Sequence, residues 1–221
     1  MIKTVPLIWT LLTALVIGFI TGLFSDGYAR RLTGRKAGRH LVISGAVTAL
    51  VFAGIAAVYG ISINSLKYLL LSAVLITASL TDLYEGIIPD RLIIAGIVVF
   101  IAFSFFSSSP FYTLGRGILG SALIAGPLLG LVLLADKLYK KETMGGGDIK
   151  LFFMAGLYFD WKLNLLLLVA ACFIGIVTAF IMGKARLNAA FPFGPSIAGA
   201  ALLVILAGGK ILDWYLGLFV I

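Results

Sequence analysis

The stretch LNLLLLVAACFIGIVTAFIMG, residues 163–183, decides the fold. It runs for 21 residues without a charged side chain. About 20 predominantly apolar residues suffice for a helix to cross the hydrocarbon layer. Lipid leaves room only for helices and closed barrels, which satisfy their own backbone groups. Barrel strands would alternate polar and apolar residues, and this stretch does not. Working outward, similar runs lie at roughly 5–24, 40–60, 66–82, 88–107, 115–135, 148–160 and 195–220, so eight membrane segments are expected. The sixth is short, tilted or half-spanning, and the eighth has room for a break at Gly208-Gly209. The first is too long, and too weakly basic at its start, for a cleavable signal peptide.

The rest of the composition agrees. Of 221 residues, 62% are hydrophobic and 12% charged, so a soluble domain would expose far too much apolar surface. The expected fold is an all-α polytopic membrane bundle. It reads as a single integral-membrane domain over 1–221: a first helix and short basic loop in 1–39, then a helical core in 40–221.

The net charge of +8 invites a nucleic-acid partner, and its distribution rejects one. With alternating sides, Arg30, Arg31, Arg35, Lys36, Arg39, Arg91, Lys137, Lys140, Lys141, Lys150, Lys184 and Arg186 share one face. Lys3, Lys67, Arg116, Lys162 and Lys210 share the other. Twelve against five is a positive-inside bias, which makes the first group cytoplasmic and puts both termini outside. The basic rim is expected to meet anionic membrane lipids. Cys172 sits inside an apolar run and reads as a small buried hydrophobe. With no CxxC pair there is no zinc ribbon and no disulfide framework. His40, at a membrane boundary, is the only histidine, and without a GxSxG step a serine triad has little support.

Nine acids remain: Asp26, Asp82, Glu85, Asp90, Asp136, Glu142, Asp148, Asp160 and Asp213. The topology sends Asp160 and Asp213 outside and keeps the other seven near the cytoplasmic side. Ionisable groups near hydrocarbon are functional candidates by default. Asp82 closes the apolar helix that contains Leu69 to Leu80, and a short turn leads to Pro89, which suits the first turn of the next helix. Taken alone, Asp82 reads first as the polar end of a membrane helix. Asp148 follows Gly145-Gly146-Gly147 and opens the run Ile149 to Phe159. Taken alone, it reads first as a helix N-cap. The glycines lack the Gly-Lys-Ser/Thr ending of a phosphate loop. Two acids at one membrane surface, one beside a turn that a peptide backbone can approach, have the form of an aspartic protease site. Phe191-Pro192-Phe193-Gly194-Pro195 reads as a rigid, extended lead into the last helix.

Together these residues resemble the type IV prepilin peptidase family, which includes archaeal preflagellin peptidases. The family pattern places an aspartate seven residues before a proline, here Asp82 with Ile88-Pro89-Asp90. Its second pattern is GxGD followed by Lys-Leu, here Gly145 to Asp148 with Lys150-Leu151. Its third is Pro-Phe-Gly-Pro, here Pro192, Phe193, Gly194 and Pro195. The resemblance covers roughly residues 40 to 210 and is loose over the first segment. It departs at one point: bifunctional bacterial members carry a large cysteine-bearing cytoplasmic region between the first two segments. Here that loop is only about Asp26 to Arg39, without cysteine. The resemblance therefore implies a peptidase without the N-methyltransferase.

The resemblance implies that a prepilin-like membrane precursor (pilin, pseudopilin or archaellin) loses its short basic leader at the cytoplasmic face. Asp82 and Asp148 would be the catalytic pair, with no cofactor and no metal. The helix N-terminus at Asp148 favours an anion there, so Asp148 is expected to be the ionised partner. Gly145, Gly146 and Gly147 would offer backbone freedom and a surface free of side chains. Pro89, Glu85, Asp90, Lys150 and the Pro192–Pro195 step are further substrate-side candidates. Glu85, Asp90 and Glu142 could meet the basic leader or simply be solvated, and Lys150 could steady the site or snorkel. Pilus or secretion assembly machinery is a possible partner. A presenilin-like protease would pair its GxGD aspartate with Tyr-Asp and Pro-Ala-Leu, but here Thr81 precedes Asp82 and no Pro-Ala-Leu occurs. The alternative outside catalysis is a small transporter or assembly scaffold. It would retain function when both aspartates became asparagine.

Overall fold

The computed structural model describes residues 7–34, 40–140, 143–181 and 191–218. Of the residues assigned above, Lys3, Arg35, Lys36, Arg39, Lys141, Glu142, Lys184, Arg186 and the His40 side chain lie outside that description. Among the described residues eight helices follow one another: α1 (Leu7–Thr33), α2 (His40–Tyr59), α3 (Ile63–Glu85), α4 (Asp90–Ser104), α5 (Pro110–Tyr139), α6 (Gly146–Gly156), α7 (Trp161–Ile181) and α8 (Gly194–Gly217). All are α-helices, and no strand occurs among the described residues. The chain is a polytopic helical bundle.

Six of the helices are long and apolar enough to cross a membrane: α1, α2, α3, α5, α7 and α8. The other two fall short of the expected spans. At 1.5 Å per residue, α4 (15 residues) covers about 22 Å and α6 (11 residues) about 16 Å, against a hydrocarbon core of about 30 Å. The two lie side by side and run the same way. Lys150 meets Asp90 near their starts, and the Tyr158 hydroxyl donates to the Gly96 carbonyl further along. α5 runs antiparallel to α6, with Ser121 donating to the Phe153 carbonyl. Counting from that contact, α5 overshoots the start of α6 by about three turns.

Two further boundaries moved. α1 continues to Thr33, so Asp26, Arg30 and Arg31 are helical rather than part of a loop. α8 runs unbroken through Gly208-Gly209. Cys172 is exposed on the bundle surface rather than buried.

Lipid gives no hydrophobic reason for apolar helices to associate, so close packing through small residues must hold them. Gly18 and Gly22, one turn apart on α1, serve α2 in this way. A Cβ on Gly22 would stand 2.6 Å from the Ser44 carbonyl oxygen, and one on Gly18 2.7 Å from the Ala49 Cα. Gly96 of α4 likewise admits Met154 of α6. The common core gathers Leu71 and Leu75 of α3, Leu151 and Met154 of α6, Leu167 of α7 and Ile197 of α8, all fully enclosed. Buried hydroxyls bond locally: Thr48 to the Ser44 carbonyl, Ser72 to Leu69 and Thr81 to Ala78. This packing brings the end of α3, the start of α6 and the start of α8 to one place.

Candidate active site

Asp82 lies in the last turn of α3 and is only 6% exposed. Gly86 ends that helix in the left-handed region (φ 67°), where its N–H returns to the Asp82 carbonyl oxygen at 2.8 Å. Glycine enters this region without the strain a Cβ would bring. The Asp82 carboxylate has its own partner: Oδ2 accepts the Gly194 N–H at 2.7 Å. Gly194 is the first residue of α8, so this is one of the amides a helix leaves unpaired at its start. A Cβ on Gly194 would stand 2.8 Å from Asp82 Oδ2, so only glycine permits the approach.

The flanking residues hold that amide in place. Pro195 occupies the first turn of α8, where its fixed φ suits the helix and its missing N–H does no harm. The Phe193 ring packs against Phe152 of α6, with centroids 6.3 Å apart, and lies over Gly175 of α7. Pro192 is half-buried just ahead of it. The lead expected to be extended instead ends with Phe193 in the right-handed helical region (φ −94°, ψ −17°), and it supports a donor to Asp82.

Asp148 stands on weaker ground. α6 begins at Gly146, so Gly146 and Gly147 are already helical and Asp148 is the third helical residue rather than its cap. Its N–H donates to the Gly145 carbonyl at 3.0 Å. None of the three glycines has a positive φ, so backbone freedom is not what the native conformation requires of them. Close approach is. A Cβ on Gly145 would lie 3.2 Å from Asp148 Oδ2, and one on Gly147 3.2 Å from Ile88 Cβ. A Cβ on Gly146 would meet nothing within 4 Å. The Asp148 side chain is half-buried, and its Oδ1 is enclosed with no hydrogen-bond partner among the described residues. α6 is too short to span, and burial there pushes the Asp148 carboxyl up to about 7, with the charge of Asp82 adding to the rise. The two carboxyls therefore sense each other.

The remaining candidates fall around this pair. Pro89 is the N-cap of α4 rather than a residue of its first turn, and Ile88 beside it packs on Gly147. Asp90 and Lys150 form an exposed ion pair of 2.7 Å between α4 and α6. Glu85 is the exposed last residue of α3. No group of three or more His, Cys, Asp or Glu side chains suited to a metal ion gathers among the described residues. One contact escaped the sequence. Gly194 and Asp82 are 112 residues apart, and nothing in either motif marks the other as its partner.

The chain compares with known proteins as follows. The model of the type IV leader peptidase family matches residues 69–180. A prepilin leader peptidase/N-methyltransferase of Legionella pneumophila is 31% identical over 166 residues, which cover 72% of this chain and 56% of that protein. A protein of the same name from Bacillus subtilis is 29% identical over 94% of this chain and 82% of its own length. One from Pseudomonas aeruginosa is 29% identical over 76% of this chain and 59% of its own. The chain thus spans little more than half of two of these relatives. No solved structure matches it. The matched segment contains Asp82, the glycine turn and Asp148, and half the chain lies within it: this protein belongs to the type IV leader peptidase family.

Proposed function

We propose that this chain is an aspartic endopeptidase of the GxGD type, which removes the short basic leader from prepilin-like membrane precursors. The observation that carries this reading is the unlike pair of carboxyls at the meeting of α3, α6 and α8. Asp82 has an amide donor on one oxygen, and Asp148 has an enclosed oxygen with none. In the first step the anionic Asp82 takes a proton from water as that water adds to the scissile carbonyl. The protonated Asp148 gives its proton to the carbonyl oxygen. The tetrahedral diol then collapses: Asp148 takes a proton back from one hydroxyl as the carbonyl re-forms, the C–N bond breaks, and the amine leaves with the proton that Asp82 had taken from water. Each proton transfer contributes roughly 10²–10⁴-fold.

This assignment reverses the expectation that Asp148 is the ionised partner. That expectation rested on the N-terminus of α6. The N-terminus of α8 lies against Asp82, and its first amide bonds the carboxylate directly, whereas Asp148 Oδ1 gains no donor from α6. The glycine turn and Ile88–Pro89 are the surface on which an extended scissile segment would rest. The site is placed at the cytoplasmic face of the cell membrane by the positive-inside bias, with both termini outside and anionic lipid at the basic rim. The short α1–α2 connection supports peptidase activity without methyl transfer.

The test is cleavage of a prepilin-like precursor in membranes. Wild type is expected to cut at the leader junction, and Asp82→Asn and Asp148→Asn each to lose about 10³-fold or more while remaining inserted. Wild-type rates in either variant overturn the dyad.

A further inference from the structure

Asp26 is fully buried although it belongs to neither aspartate motif and precedes the matched family segment. It lies on α1 in a helix apolar enough to span. An acid buried in such a helix is costly unless paired, and its retention is a functional signal. Its partners are Arg30, one turn along α1, and Tyr84 of α3. The Arg30 guanidinium donates to both carboxylate oxygens, Nη2 reaching Oδ1 at 3.3 Å, and lies 5.5 Å from the centroid of the Tyr84 ring. The Tyr84 hydroxyl donates to Asp26 Oδ1. Nearer its start, α1 meets its neighbours through Gly18, Gly22, apolar side chains and the Ser44 hydroxyl, which donates to the Gly22 carbonyl, so the Asp26 cluster is a polar tie to α3 at the end of the helix that faces the candidate site.

Tyr84 is two residues beyond Asp82, in the same last turn of α3. Leu83, Glu85 and Gly86 are exposed, and the helix ends at the Gly86 amide bonded to the Asp82 carbonyl. We propose that Asp26, Arg30 and Tyr84 form a positioning latch by which α1 fixes the last turn of α3, and with it the Asp82 carboxylate. The inference rests on Asp82 being catalytic. Gly194 holds the carboxylate at its oxygen, and the latch holds the backbone that carries it. None of the three residues is a catalytic residue.

The test uses the full chain. Tyr84→Phe removes one hydroxyl and keeps the ring. It is expected to lower kcat about tenfold with KM within twofold, since a misplacement of about 1 Å costs on the order of 10²-fold and partial loosening costs less. Asp26→Asn is expected to cost at least as much, and the double variant no more than Asp26→Asn, because both act through one network. Arg30→Lys, which keeps the charge, is expected to stay within about threefold. Independently of activity, hydrogen exchange at the Gly86 amide should quicken about tenfold or more in Tyr84→Phe while the α7 amides stay unchanged. Unchanged kcat or unchanged Gly86 exchange in Tyr84→Phe overturns the latch. Asp82→Asn is assayed beside it. If that variant is inactive and Tyr84→Phe is normal, the latch alone falls. If Asp82→Asn cleaves normally, the peptidase site itself falls and the latch loses its role.

Discussion

The end of α3 and the start of α6 present the same side chain on unlike foundations. Asp82 closes a 23-residue helix packed against α1, α4 and α8, and its oxygen is bonded to an amide of α8. Asp148 rides the first turn of an 11-residue helix begun by glycines, with one oxygen enclosed and unbonded. A dyad needs its two members to differ, because two carboxyls close together do not both ionise readily. Here the difference is built by the backbone. One aspartate receives an amide donor, and the other receives burial with no donor on its enclosed oxygen. The anchored group suits the base, whose charge must wait in place. The one enclosed without a donor suits the acid.

The sharpest way to break this contrast is to attack the anchor. Gly194→Ala puts a methyl 2.8 Å from Asp82 Oδ2. The carboxylate must then turn away from the α8 amide. Cleavage should fall about 10²-fold, with insertion unchanged. A normal rate would show that Asp82 does not depend on its amide donor.

The pH dependence separates the two aspartates next. The folded-state value for Asp148 is about 7 against an ordinary 3.8, so folding binds a proton there between those limits. Stability carried by that proton is fully present at pH values below about 4 and is lost as pH rises through about 7. Wild-type thermal stability should therefore decline from pH 4 to 8, with a flatter profile in Asp148→Asn. The cleavage rate should fall over the same upper range as the acid loses its proton. An Asp148→Asn profile parallel to wild type would remove Asp148 as the titrating group.

How far the sequence could be read follows the same divide. The helices were legible because lipid demands apolar runs, and the eight runs correspond to the eight helices among the described residues, six of them long enough to span. Boundaries failed where charges were satisfied inside the protein. Asp26 and Arg30 looked like loop residues, yet their i,i+4 spacing pairs them on one helix, which lets α1 continue to Thr33. The short α6 was visible as a weak sixth segment. Both aspartates were marked by local motifs. Their division of roles was not, because the donor to Asp82 comes from α8, far along the chain. Helix-end reasoning applied to Asp148 alone favours the opposite assignment to the one proposed from the Gly194 amide.

The glycine turn gives a finer test, because its three members meet different surroundings. Gly147→Val would press on Ile88, beside Pro89, and should cut activity about tenfold. Gly146→Ala meets nothing within 4 Å and should leave activity within about twofold. It should also steady the first turn of α6 by about 0.5–1 kcal/mol, the ordinary advantage of alanine over glycine in a helix. Equal effects at the two positions would show that the turn works through flexibility rather than through close approach.

The smallest effect belongs to the pair that looks most like a contact to substrate. Asp90 and Lys150 meet at 2.7 Å, yet their side chains are 65% and 55% exposed. An exposed ion pair adds little because water screens it and two long side chains lose freedom. It joins α4 to α6 beside the glycine turn, so it still biases where Asp148 sits. Lys150→Ala should therefore change kcat by less than about threefold, with the loss imitated in wild type by raising salt, which screens exposed charges. A larger loss at Lys150 that salt does not reproduce would move this lysine into direct contact with substrate. The position of Asp148 would then depend on the bound precursor as well as on α4.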